Sequence, residues 1–112
     1  MKPAHPLVKG SLSTIILRLL SEQEWMYGYE ITRKVKELSG GGLVLTEGAL
    51  YPALHKLEAE GVLEVSMEQV GNRPRKYYRL TQDGKKQARQ KMQEWQAFAA
   101  QMQLLLRPGW GT

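Results

Sequence analysis

Tyr51, His55 and Lys56 fall within six residues of one helix-patterned segment, and Arg73, Arg75 and Lys76 crowd into four positions further on. The first set carries donors and acceptors suited to base edges. The second carries the fixed positive charge that grips phosphate oxygens. A helix able to enter a groove, followed by a basic loop able to hold a backbone, is chemistry for a nucleic acid.

The helix segment runs from Glu47 to Glu60 and ends at Gly61. If Leu50, Leu54 and Leu57 point inward, the opposite side carries Gly48, Pro52, His55 and Ala59, flanked by Ala49, Tyr51 and Lys56. That free face is slim, as a helix needs if its backbone is to approach bases. Pro52 has no N–H and predicts a bend. Gly48, four residues earlier, is expected to leave room for the proline ring. Thr46 can cap the helix through its hydroxyl. Thr46 and Glu47 at its start, and Lys34 on the outer face of the preceding helix, complete the candidate DNA-contacting set.

The segment Gly71-Asn72-Arg73-Pro74 reads as a hairpin loop between strands. Clustered cations there cost roughly 0.2–1 kcal/mol for each directly opposed pair. A phosphate backbone would turn that repulsion into attraction and release counterions. Pro74 stiffens the tip, so less entropy is lost on docking.

Other elements must position these residues. Pro3 and Pro6 mark residues 1–10 as an N-terminal arm. Leu12, Ile15, Ile16, Leu19 and Leu20 predict a first helix over 11–21. A second helix follows over 27–39, with Ile31, Val35 and Leu38 inside, and stops at Gly40-Gly41-Gly42. Leu63, Val65 and Met67 alternate with Glu64, Ser66 and Glu68 as a half-exposed strand. A second strand covers 76–80. The pattern is mainly α with a small β-hairpin, an α+β class. Residues 11–80 form a winged helix-turn-helix, 81–106 a long helix capped by Thr81, and 107–112 a tail containing Trp110.

The long helix is too long for this core alone. Ala88, Met92, Trp95, Ala99, Met102 and Leu106 recur at alternating spacings of four and three, the seam of a helix packed along a partner. Met92, Trp95, Ala99, Met102 and Leu106 are therefore candidates for a homodimer interface. Small residues beside Trp95 leave space around the indole. Ala88, Met92, Trp95 and Ala99 are the candidate lining for a planar aromatic effector.

The 112 residues fit one domain, with 16 Lys and Arg against 11 Asp and Glu. Beyond Gln69 the acids are Asp83 and Glu94 alone, so the positive field lies in the C-terminal half. There is no cysteine, which excludes disulfides and thiolate metal sites. His5 and His55 have no acidic cluster beside them, so no metal or other cofactor is expected. The glycine run lacks the lysine and hydroxyl of a phosphate loop, and no nucleophile–base arrangement stands out, so no enzyme is expected. No apolar run approaches the ~18 residues of a membrane span, and residues 1–10 lack a signal core. A cytoplasmic protein is expected.

The chain resembles the PadR family of transcriptional regulators through Tyr27-Gly28-Tyr29-Glu30-Ile31, Gly48-Ala49-Leu50-Tyr51-Pro52-Ala53-Leu54-His55-Lys56-Leu57-Glu58, Gly61-Val62-Leu63 and Arg73-Pro74-Arg75-Lys76-Tyr77-Tyr78-Arg79-Leu80-Thr81 with Gly84. The resemblance spans residues 12–84. Its single C-terminal helix is similar to the short, multidrug-sensing branch. The resemblance implies a winged-helix homodimer on a pseudo-palindromic double-stranded DNA operator, a repressor relieved by a small aromatic or multidrug-type ligand. It also implies DNA contact by Tyr51 and a drug-pocket role for Trp95. Ala49 stands where many members have Thr. The competing class is a winged-helix adaptor that makes protein contacts and takes no effector.

Overall fold

Leu12, Ile16, Leu19 and Leu20 recur on one stripe of the first helix, α1 (Pro6–Glu22), and all are buried. The computed structural model describes residues 6–109 and residue 111. α1 starts five residues before Ser11, so half of the expected arm is helix. Proline is compatible with a first helical position, where its missing N–H would be unsatisfied anyway. Val8, inside that added turn, is buried and ties it to the core. Residues 1–5 lie outside the described residues, as does Trp110 of the expected tail.

After α1 the chain turns through Trp25, whose φ is 63°, into β1 (Met26–Tyr27) and then α2 (Gly28–Leu38). Glu30 Oε1 accepts from the Tyr27 N–H at 3.2 Å and fastens the start of α2. Ile31 and Val35 are buried as expected, but Leu38 is exposed. Gly40 and Gly41 wind the chain out of the helix just beyond it, and among the described residues no element covers that last turn.

α3 (Glu47–Ala59) is capped by Thr46, whose hydroxyl accepts from the Ala49 N–H at 3.2 Å. Leu50, Leu54 and Leu57 are buried. At its end the Val62 N–H reaches the Leu57 carbonyl at 2.9 Å and turns the chain into β2 (Leu63–Val70). β3 (Arg73–Leu80) returns antiparallel, with Val70 opposite Arg73. The loop is therefore Gly71-Asn72 alone. Arg73 and Pro74, expected in the loop, are strand residues. Gly71 takes φ 62°, as a two-residue hairpin of the II′ type needs at its first position.

The sheet order is β1-β3-β2. β1 pairs only with Tyr77 and Tyr78, so β3 has a free edge beside Pro74, where a missing N–H is tolerated. Leu63, Tyr78 and Leu80 are buried and Val65 half-buried, whereas Met67 is exposed. The hairpin thus leaves the core after Val65, and its outer half is a wing. Together with the helices this is the expected α+β winged-helix architecture.

α4 (Gln82–Leu105) is capped by Thr81, which accepts from the Gly84 N–H at 3.0 Å. Its 24 residues span about 36 Å at 1.5 Å per residue. The first half packs along α1, and Ala88 is buried there. The second half runs past the core. The radius of gyration is 16.1 Å, against about 13 Å for a compact chain of this size.

Candidate nucleic-acid interface

α3 turns its polar side outward. Glu47, Gly48, Tyr51, Pro52, His55, Lys56 and Ala59 are all exposed. Ala49 is the exception to the expected free face, because it is half-buried against the core. Thr46 is half-buried as the cap, and Lys34 is half-buried on α2. A Cβ built on Gly48 meets no atom within 4 Å. The Pro52 ring therefore does not occupy the space that Gly48 leaves, and Gly48 keeps the outer face slim.

Tyr51 and His55 form one wall of a groove of about 390 Å³, with Tyr27, Gly28 and Tyr29 at its end and Arg73, Arg75 and Lys76 of β3 as the other wall. The two aromatic rings on α3 lie 6.5 Å apart. Lys56 is not part of this groove. It lies against a separate hollow with Lys9 and Lys91, between α1, α3 and α4. The i,i+1 offset of ~100° around the helix separates it from His55.

The wing cations also divide. Strand alternation puts Lys76 on the face of Tyr78 and Leu80, toward α3, and puts Arg75 on the face of Tyr77 and Arg79. Lys76 Nζ meets Glu58 Oε1 of α3 at 3.3 Å and sits 5.5 Å from the Tyr78 ring centroid. Burial pulls the Lys76 pKa down, but Tyr78 and Glu58 push it up further, so it stands above the ordinary lysine value. Arg75 instead lies over the Tyr27 ring, 4.1 Å from its centroid. Among the described residues neither Arg73 nor Arg75 pairs with a carboxylate.

Three contributors escaped the sequence reading. Tyr27 carries Arg75, Glu58 holds Lys76, and Arg79 joins Glu24 and Glu64, bracing β1 against the hairpin. Arg79 also lies 4.5 Å from the Trp25 ring centroid. Its two carboxylate partners hold its pKa above the ordinary arginine value. Strand parity from buried Tyr78 was the signal available for Lys76 and Glu58.

The expected seam on α4 is split. Ala88 is in the core of its own chain, so it cannot also line a surface pocket. Met92 is half-buried, with Arg18 Nη1 3.9 Å from its sulfur. Ala99 and Met102 are half-buried, while Trp95 is 45% and Leu106 74% exposed. Phe98, absent from the expected seam, is 55% exposed beside Trp95. Among the described residues no helix is long and apolar enough to cross a membrane, and no group of three or more His, Cys, Asp or Glu could hold a metal.

The model of the transcriptional regulator PadR-like family matches residues 16–90. The chain is 34% identical over 90 residues to an uncharacterized protein of Lysinibacillus sphaericus, covering 80% of this chain and 82% of that one. Over 50 residues it is 44% identical to the transcriptional regulator Rv3488 of Mycobacterium tuberculosis, covering 45% of this chain and 47% of that protein. Among solved structures, a transcriptional regulator from Clostridium thermocellum has a TM-score of 0.84 at 31% identity, covering 92% of this chain and all of that one. A PadR family regulator from Eggerthella lenta has a TM-score of 0.76 at 30% identity, covering 92% and 88%.

Proposed function

The chain belongs to the PadR-like family of transcriptional regulators, and from that premise we propose that it is a cytoplasmic homodimer that represses transcription from a pseudo-palindromic operator and is released by a planar aromatic ligand. The family is one of regulators and not of enzymes. Tyr51 and His55 face the major groove in this reading, with Glu47, Gly48 and Pro52 close to the bases. Arg73 and Arg75 contact phosphate. Lys34 and Lys56 add positive field on either side, and Thr46 aims the helix.

The observation that carries the dimer is the uncovered apolar surface of α4. Trp95 and Phe98 are exposed on a helix that outruns its core, and Leu106, its C-cap, continues the same face. A second copy related by a two-fold axis would cover that stripe and the half-buried Met92, Ala99 and Met102 beside it. The effector would lie between the paired indoles, lined by Trp95, Met92 and Ala99. Coupling follows from position, because α4 sets the spacing of the two α3 helices and a ligand that prefers one spacing shifts DNA affinity.

Footprinting on the region upstream of its own gene, alongside sedimentation at micromolar concentration, tests this. The expected result is a dimer protecting two half-sites about one or two helical turns apart. A chain that ignores DNA at every salt concentration is an adaptor and overturns the proposal.

A further inference from the structure

Arginines in this fold are committed in different ways. Arg18 pairs with Glu22 at 2.7 Å, and Arg79 is held between Glu24 and Glu64. Arg75 pairs with no carboxylate among the described residues, although Glu68 stands opposite it in the ladder. Its guanidinium lies instead over the Tyr27 ring.

That ring is fixed from several sides. Tyr27 is paired with Tyr77 in the sheet, and Tyr77 packs edge-on at 5.4 Å between centroids, 68° between planes. Tyr29 stacks against it at 6.5 Å and 21°. Glu30 holds the Tyr27 backbone N–H. A half-buried ring restrained in this way is a platform.

We infer that Tyr27 is a positioning residue for backbone recognition: it holds the Arg75 guanidinium by its face and leaves the N–H edge free for a DNA phosphate. The inference rests on the DNA-binding reading above. Attraction to a ring uses the guanidinium face. A bidentate phosphate contact uses the in-plane N–H groups. The two contacts do not compete. An arginine already held in place loses less rotamer freedom on docking than a free one. Arg73, exposed and held by neither ring nor carboxylate among the described residues, lacks this advantage.

The test is fluorescence anisotropy with two labelled duplexes, one from the region upstream of the gene and one of scrambled sequence, across a salt series. Tyr27→Phe keeps the ring and should bind both within about two-fold of the parent. Tyr27→Leu should bind both about two- to five-fold more weakly. Arg75→Ala should weaken binding further and lower the salt slope by about one unit per protomer, about two for the dimer. The double variant Tyr27→Leu with Arg75→Ala should match Arg75→Ala alone. Arg75→Lys, a surface change that preserves the fold, keeps the charge but loses both the planar stack and the bidentate fork, so it should lose at least as much as Tyr27→Leu. In the free protein the Arg75 side-chain protons should show a ring-current shift that Tyr27→Leu removes and Tyr27→Phe keeps. Parent-like binding by Arg75→Lys or Tyr27→Leu, or additive losses in the double variant, overturns the positioning role alone. A parent that binds neither duplex overturns the DNA-binding reading, whatever the ring-current shift.

Discussion

The Tyr51 ring occupies the space that a side chain on Gly28 would fill. A Cβ built there would lie 2.8 Å from the Tyr51 Cζ and closer still to the hydroxyl oxygen. Gly28 opens α2 and Tyr51 projects from α3, so the bare backbone of one helix lets the phenol of the other lie across it. The presence of glycine at the first position of α2 therefore sets the aim of a groove-facing tyrosine.

Gly28→Ala should accordingly harm binding more than stability. Tyr51 is exposed and can swing away, so little strain remains in the folded chain. Alanine is also the better helix former by ~0.5–1 kcal/mol. Operator discrimination should fall as it does for Tyr51→Ala, by ~1–3 kcal/mol if the hydroxyl meets a base edge. The double variant should lose no more than either single one. Additive losses in operator titrations would separate the two residues.

Gly84 and Gly48 should behave oppositely. A Cβ on Gly84 would collide with the Val62 carbonyl oxygen, and its nearest other contact there is the Val62 carbonyl carbon at 3.2 Å. Backbone cannot move aside as a phenol can. Gly84→Ala should lower stability by roughly 1–3 kcal/mol, the usual scale of overpacking. Gly48→Ala meets open space and should raise stability by ~0.5–1 kcal/mol, while its methyl weakens operator binding. Thermal unfolding beside operator titration reads both, and a Gly84→Ala chain as stable as the parent would contradict the close approach.

The helices, hairpin and caps were legible because each rests on local chemistry. Leucines at helical spacing, Thr46 and Thr81 as caps, and Gly61 and Gly71 as turns need no tertiary knowledge. What escaped depends on register or on a distant partner. β1 has two residues, too few for any alternation to show. Arg73 and Pro74 read as loop because proline argues against a strand, and only the early end of β1 explains why it is tolerated in β3. Lys76 seemed to belong with Arg75 until the pairing of β3 placed them on opposite faces. Ala88 matched the seam in spacing, but α1 claims that turn of α4.

Alkaline pH should destabilise the chain through Tyr78 and Lys76. Burial foremost raises the Tyr78 pKa above its ordinary value, and Lys76 is raised on balance as well. A group whose pKa is higher in the folded chain contributes stability below its unfolded value, and that contribution fades as pH rises toward the folded value. Stability should hold near neutrality and decline above about pH 10, the ordinary tyrosine range. Among the described residues the buried Tyr78 hydroxyl makes no geometrically good hydrogen bond, and Lys76 is the charge that faces it. Tyr78→Phe should therefore be neutral or stabilising by up to ~1 kcal/mol and should shrink the alkaline loss. A Tyr78→Phe chain well below the parent in Tm would mean that the hydroxyl has a partner in solution.

Wing cations should separate by salt dependence. Lys76 is engaged by Glu58 at 3.3 Å, a half-exposed pair of the kind worth ~0–1 kcal/mol, and must leave it to meet a phosphate. Lys76→Met should change the salt slope of DNA binding by less than the about one unit per protomer expected for Arg75→Ala. Glu58→Gln releases the lysine and should steepen the slope. Equal slopes for Lys76→Met and Arg75→Ala would return Lys76 to the phosphate-binding set.

Phe98 and Trp95 separate assembly from sensing. Phe98 is more exposed than Trp95 and stands outside the buried cluster of its own chain. Phe98→Lys should leave the helical content of the chain intact while sedimentation shifts from dimer to monomer, because an ammonium would be forced into an apolar seam. Operator affinity should fall with it, since two half-sites then lose their linkage. Trp95→Ala removes a large flat surface and leaves Phe98 to hold the seam, so the dimer should persist at micromolar concentration. In that dimer, planar cationic dyes should bind more weakly by ~0.5–2 kcal/mol for each lost indole contact. Dye titration by calorimetry avoids the emission of Trp25 and Trp110. Undiminished dye binding by a dimeric Trp95→Ala chain would make the indole a packing group and remove the effector from this face of α4.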